Sequence, residues 1–235
     1  MSAGARPFKA VAPVFAVLLV VIRGVAGVAV ADIGTSGGLT YTMSTSALDV
    51  GGWQMTVAQL SGGNDAVTTV FNAASRASGK TMADMLDADR VIRGRSGFTT
   101  RPAVTFRPTA VSQVLTGTYY WRPSAHPVNY VTTVVIDTRT ATPITLGDLF
   151  SDTRAGLDRL SQLTKSIFPS VYGTSMGDER GNAPVETNFH NWIPNATGLE
   201  IHFADGQFGH GLPVITVPWS QLNDLLAPDM KVLAQ

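Results

Sequence analysis

Polar and apolar positions change period several times along this chain. Trp53, Met55 and Val57 alternate with Gln54 and Thr56, the period-two pattern of a half-buried strand. Leu39 to Ser44 reads as a strand ahead of it. Gly62 and Gly63 then break the chain, and Asn64 stands where a helix cap is needed. From there Val67, Val70, Phe71, Ala74, Ser78, Met82, Met85 and Leu86 keep one stripe in phase. The spacing predicts a helix from Asp65 to about Ala88, with Met82 and Met85 as core filling. Gly79 inside it costs ~1 kcal/mol relative to alanine.

Three strand-like runs follow. Phe98, Thr100, Val104 and Phe106 share one face of the first, and Thr99, Arg101, Thr105 and Arg107 the other. Pro102 lacks a ladder donor, which places this run at a sheet edge or on a bulge. Val111, Leu115, Tyr119 and Trp121 share a face of the second run. The third, Tyr130 to Ile136, is apolar on both faces and reads as central. A short unit from Ile144 to Phe150 leads to a second helix with Leu157, Leu160, Leu163 and Ile167 inward, ending before Pro169. Residues 169–186 read as a Gly/Pro/Asn-rich loop.

A hairpin then joins Thr187–Ile193 to Leu199–Ala204. Centring its turn on Ala196 sets Phe189 opposite Phe203, Asn191 opposite Ile201 and Ile193 opposite Leu199. The other face would pair His190 with His202 and Trp192 with Glu200. Val214 to Val217 form a last strand, ended by Pro218, and a short helix after Trp219 packs Leu222, Leu225 and Leu226. The fold class is α+β: a mainly antiparallel, twisted sheet with one long helix and two shorter ones packed on it.

The N-terminus follows different rules. Arg6 and Lys9 precede an apolar run from Ala10 to Ile22, and Ala29-Val30-Ala31 fits the small-x-small cleavage pattern before Asp32. A span needs about 20 apolar residues, and Arg23 interrupts this stretch. Residues 1–31 therefore read as a cleaved secretory signal, with an uncleaved anchor as the alternative. The remaining chain divides into a flexible lead-in (32–38), a single domain (39–228) and a tail (229–235).

Composition narrows the function classes. The 235 residues carry 17 basic and 17 acidic side chains, a formal net charge of zero, so nothing points to nucleic acid. With no cysteine there is no disulfide framework, thiol catalysis or thiolate metal site. A chain this long buries enough core without such staples. Arginine greatly outnumbers lysine, and Ala, Val, Thr and Gly are abundant, a bias of GC-rich genomes such as those of actinobacteria.

Four segments carry a resemblance. They are Pro143 to Phe150 (PITLGDLF), Asn188-Phe189 with Gly198 to Phe203 (GLEIHF), Gly211 to Leu222 (GLPVITVPWSQL), and Ala125-His126-Pro127 before the central strand. Their order and spacing resemble the RsiV C-terminal domain family. That family includes the ectodomain of a lysozyme-sensing anti-sigma factor and secreted immunogenic proteins of mycobacteria. The likeness covers about residues 120–226 well, and residues 50–120 only by order of elements. It implies an exported α+β domain with helices against a mainly antiparallel sheet. Together with the leader and the lack of a coherent catalytic set, the expectation is a non-enzymatic, monomeric binding domain without cofactor that acts on an extracellular or envelope protein or glycan. Membrane contact would come only through an uncleaved signal. The sequence departs from the family in its short loop, Ala204 to His210, where relatives carry a longer one, and it lacks a sigma-binding cytoplasmic part.

The candidate chemistry is sparse. Gly173-Thr174-Ser175-Met176-Gly177 fits the G-x-S-x-G nucleophile pattern, which requires a strand before the serine and a helix after it. An esterase-like hydrolase would use Ser175 with His190, His202 or His210 as base. The expected His190–His202 pair offers two imidazoles, whereas zinc normally takes at least three protein ligands, so no metal site is assigned. Protonating that pair would weaken the hairpin below about pH 6. Arg90, Arg93, Arg95, Arg101, Arg107 and Arg122 fall in a stretch with no acid before Asp137. Of these, Arg101 and Arg107 share a strand face and are candidate ligand-binding residues, with His126 and Phe208.

Overall fold

The computed structural model describes residues 32–89, 91–122, 124–174 and 180–235. A central antiparallel sheet organises them, in the order β4 (Phe98–Arg107), β5 (Ala110–Tyr119), β6 (Val128–Asp137) and β7 (Thr142–Pro143). Pairing of β4 with β5 runs without a bulge, so Pro102 is accommodated because β4 is an edge strand. Both faces of β5 and β6 are buried. Val111, Leu115, Tyr119, Tyr130 and Ile136 enter cores on one side, and Ala110, Val114, Val131 and Val135 enter a core on the other.

The first side is covered by α1 (Asp65–Ala88) and by a hairpin of β2 (Leu39–Val50) and β3 (Trp53–Gly62). The second is covered by α2 (Leu146–Leu149), α3 (Thr153–Tyr172) and a small sheet of β8 (Trp192–Pro194), β9 (Gly198–His202) and β10 (Val214–Pro218). The class is α+β as expected, with the antiparallel strands divided among three sheets.

Helix α1 has the expected bounds because its cap and its stripe agree. Asn64 Oδ1 accepts from the Ala66 N–H at 2.9 Å and the Val67 N–H at 3.4 Å. Gly79 has a packing reason. A Cβ there would lie 2.6 Å from Leu48 Cδ2 and 3.1 Å from Val57 Cγ1, so its absence lets the helix settle on the hairpin.

Among the described residues strand β3 has no strand partner on its second side. Side chains satisfy that edge at every second residue. The Thr100 hydroxyl accepts the Thr56 N–H at 2.7 Å and donates to the Thr56 carbonyl at 2.8 Å. Gln113 Oε1 accepts the Ala58 N–H at 3.2 Å, and Ser75 donates to the Ala58 carbonyl at 2.7 Å. Asn72 bonds both the N–H and the carbonyl of Leu60, at 2.7 and 3.0 Å. The edge is thereby closed to another chain. One similar bond joins the central sheet to the third, where Thr133 Oγ1 accepts the Trp192 N–H at 3.1 Å.

Four expectations are corrected. Residues 32–36, expected to be a flexible lead-in, form strand β1 (Asp32–Ser36) on the edge of β2. Ser36 is buried and bonds the Thr138 hydroxyl at 2.9 Å. The expected tail, 229–235, belongs to the body, because Met230 and Leu233 are buried in the second-side core. Helix α3 passes through Pro169 and stops at Gly173, which adopts the left-handed φ of 67°. Proline so near a helix end removes only one ladder donor, and buried Phe168 holds that turn to the core.

The hairpin register is displaced by one residue: Trp192 pairs with Ile201, Ile193 with Glu200 and Pro194 with Leu199. The cause is Asn195, whose Oδ1 accepts the Thr197 and Gly198 N–H groups at 2.9 and 2.8 Å. Its own N–H donates to the Gly198 carbonyl at 3.0 Å, which tightens the turn to Asn195–Gly198. Trp192, expected on the solvent face, is consequently buried. Phe189 and Phe203 still meet, with ring centroids 6.3 Å apart, but Phe189 arrives from a 3-10 turn (Glu186–Asn188) rather than from a strand.

Gly198 makes this junction sensitive. A Cβ there would stand 2.1 Å from the backbone oxygen of Val217, which cannot swing aside. Gly198→Ala is expected to cost at least about 2 kcal/mol in denaturant unfolding. An unchanged midpoint would contradict the tight β9–β10 packing.

Candidate functional site

Loops from three parts of the chain meet at the end of α1. A cavity of about 290 Å3 is lined there by Met85 and Asp89 from α1 and its cap, by His126 to Val131, and by Ala204–Gly206 with His210. Met85, Pro127, Val128 and Val131 supply apolar wall, and two carboxylates and two imidazoles supply polarity.

Asp205 builds the site. Its Oδ2 accepts the Asn129 backbone N–H at 2.8 Å and the Asn129 side-chain amide at 3.0 Å, and its Oδ1 accepts the Gly211 N–H at 2.9 Å. One carboxylate thus ties the short loop after β9 to the head of β6. Asp89 accepts the Tyr130 hydroxyl proton at 2.8 Å and the Val91 N–H at 3.0 Å. Burial pushes the Tyr130 phenol above its ordinary range. The hydrogen bond to Asp89 and the charges of Asp89 and Asp205 push it the same way. Tyr130 therefore stays a neutral donor in this site.

His126 and His210, selected from the sequence for different roles, meet here with ring centroids 4.1 Å apart and planes tilted by 47°. Phe208 lies in the same loop but turns to the core. Its ring sits 5.0 Å from Phe168 and 4.8 Å from Phe203. Gln207 fastens the loop further, donating to the carbonyls of Gly181 at 2.7 Å and Asn188 at 3.1 Å.

The remaining candidates are scattered. His190 and His202 do not pair, because the register shift separates them. His190 Nδ1 lies 2.7 Å from its own turn's Thr187 carbonyl, and His202 Nε2 lies 2.9 Å from Glu200 Oε1. That contact with His202 is the main cause holding the Glu200 carboxyl below its usual range. The expected acid weakening by His190–His202 repulsion therefore has no geometric basis. Among the described residues no three His, Asp or Glu side chains converge as a metal-ligand group.

Ser175 lies outside the described residues, as does Arg90. Its pattern lacks the required setting on the upstream side: the residues leading to Gly173 are helix α3, not a strand. Arg101 is exposed on β4. Arg107 instead donates to the Gln235 carbonyl at 2.8 Å. Arg95 lies 4.6 Å over the Trp53 ring and pairs with Asp87. The arginine run is thus partly consumed by the fold.

No family model matches the chain, and no curated protein matches it by sequence. By structure it is similar to a DUF3298 family protein from Pseudomonas aeruginosa PAO1, with a TM-score of 0.55 and 11% identity over 82% of this chain and 96% of that one. It is also similar to a DUF3298 member from Bacteroides fragilis NCTC 9343, with a TM-score of 0.52 and 11% identity over 85% and 99% of the respective chains. At this identity the likeness establishes a shared fold.

Proposed function

We propose that this chain is an exported, non-enzymatic binding domain of the RsiV C-terminal type, which engages a protein or glycan in the envelope or outside the cell. The observation that carries the reading is the DUF3298 fold, shared over 82% of the chain. The segments that bear the sequence resemblance also sit at joints of that fold. Thr145 and Asp148 of the PITLGDLF segment form a capping box that starts α2. GLEIHF supplies β9, and the last segment supplies β10 and the 3-10 turn Trp219–Gln221. The leader-like N-terminus supports export through its apolar run from Ala10 to Ile22 and the Ala29-Val30-Ala31 pattern.

The competing esterase reading loses support from the helix before Gly173 and from the separate engagements of His190, His202 and His210. A chromogenic short-chain ester assay tests the choice. The purified protein and its Ser175→Ala variant are expected to show the same rate as buffer. Turnover abolished by Ser175→Ala would overturn the reading.

A further inference from the structure

Granted the binding role, we infer that the cavity at the head of β6 receives a primary ammonium group at the end of an aliphatic chain, as a lysine on a partner peptide presents it. Asp89 reaches this cavity from the end of α1, and Asp205 from the loop after β9 on the other side of the sheet. Both are half-buried, and their hydrogen-bond partners are all neutral: the Tyr130 hydroxyl and Val91 N–H for Asp89, the two Asn129 groups and the Gly211 N–H for Asp205. Among the described residues no lysine or arginine lines the cavity, and neither carboxylate enters an ion pair. By contrast Asp87, two residues before Asp89, pairs with Arg95. Two negative charges in one hollow are thus met by dipoles alone, and a cation is the complement they lack.

The rest of the lining selects the kind of cation. A divalent metal needs at least three ligands at one point, and among the described residues no such group exists. An ammonium brings three donors of its own. Both oxygens of Asp89 and Oδ1 of Asp205 accept one hydrogen bond each, so each can accept a second. The walls of Met85, Pro127, Val128 and Val131 suit the methylenes that carry such a head group. A volume of about 290 Å3 lies at the small end of ligand pockets, enough for one side chain. Burial, the Asp89 hydrogen bond and the charges of both acids hold the Tyr130 phenol above its ordinary range, so the two carboxylates act on one point of this lining.

The amide resonances of Val91, bonded to Asp89, and of Asn129 and Gly211, bonded to Asp205, report occupancy in the purified protein at neutral pH. Nα-acetyl-lysine-N-methylamide is expected to shift all three, with a Kd of about 1 mM. Nα-acetyl-norleucine-N-methylamide, which keeps the stem without the charge, and glucosamine, which has the ammonium without the stem, are each expected to bind at least about tenfold more weakly. Asp89→Asn keeps an acceptor for the Tyr130 hydroxyl and is expected to weaken the lysine probe by about tenfold. No shift with the lysine probe, an equal response to either comparison ligand, or undiminished binding by Asp89→Asn overturns the ammonium site. The ester assay decides the binding role separately: no turnover together with no lysine response leaves that role standing and removes this site alone.

Discussion

Phe203→Ala is expected to destabilise the domain by about 3–5 kcal/mol. Phe203 is fully buried in β9's continuation, and three rings surround it: Phe189 at 6.3 Å, Phe168 at 6.4 Å and Phe208 at 4.8 Å. These rings come from the 186–189 turn, from α3 and from the 204–211 loop. Truncation leaves a cavity that cannot collapse without moving all three segments, so the cavity cost adds to the lost transfer energy. Urea unfolding should show a lower midpoint with little change in slope. A loss below about 1 kcal/mol would mean the four rings do not form one packed cluster.

The second large effect is polar. Gln113 is fully buried on β5 and serves three partners. Its Oε1 accepts from the Ala58 N–H and, at 2.6 Å, from the Ser75 hydroxyl, and its Nε2 donates to Ser78 Oγ at 2.9 Å. Ser75 has one proton to share between Gln113 and the Ala58 carbonyl, so in Gln113→Leu it turns wholly to that carbonyl. The Ala58 N–H has no such recourse and is left buried and unpaired. A stranded backbone donor, together with the broken network, is expected to cost about 2–4 kcal/mol. Equal stability of Gln113→Leu and the parent in denaturant would contradict the account of how β3 is joined to the rest of the body.

These two sites also show what the sequence can and cannot disclose. Helix α1 was legible because cap, stripe and length agree within one segment. The alternation in β4, β5 and β6 was legible for the same reason. Asp32–Ser36 was not, because D-I-G-T-S has weak strand propensity. Its Gly34 is there for packing, since the Phe106 ring lies 2.0 Å from where a Cβ would stand. The hairpin register was missed because burying Phe189 does not require a strand. A short 3-10 turn delivers the same ring, and the Asn195 turn then sets a different pairing. The side-chain closure of β3 is tertiary throughout. Thr100, Gln113, Ser75 and Asn72 each look like an ordinary polar residue until the strands and α1 come together.

The candidate site was half legible. His126 stood out in a segment before the central strand and His210 as a residual imidazole, yet nothing in one dimension brings them into contact. Asp89 and Asp205 are lone acids in the sequence. Their importance comes from what they bind: the Tyr130 hydroxyl in one case, and the Asn129 and Gly211 N–H groups in the other. The four-histidine inventory is correspondingly divided by structure into one pair in tilted contact and two separately held rings.

Export with cleavage after Ala31 is the claim on which the proposed role depends. Its most direct test is the intact mass and N-terminal peptide of the protein recovered from the culture medium of an expressing bacterium. The account predicts a species starting at Asp32, with residues 1–31 removed. Recovery of the chain only from the cytosol, with residues 1–31 still attached, would contradict it.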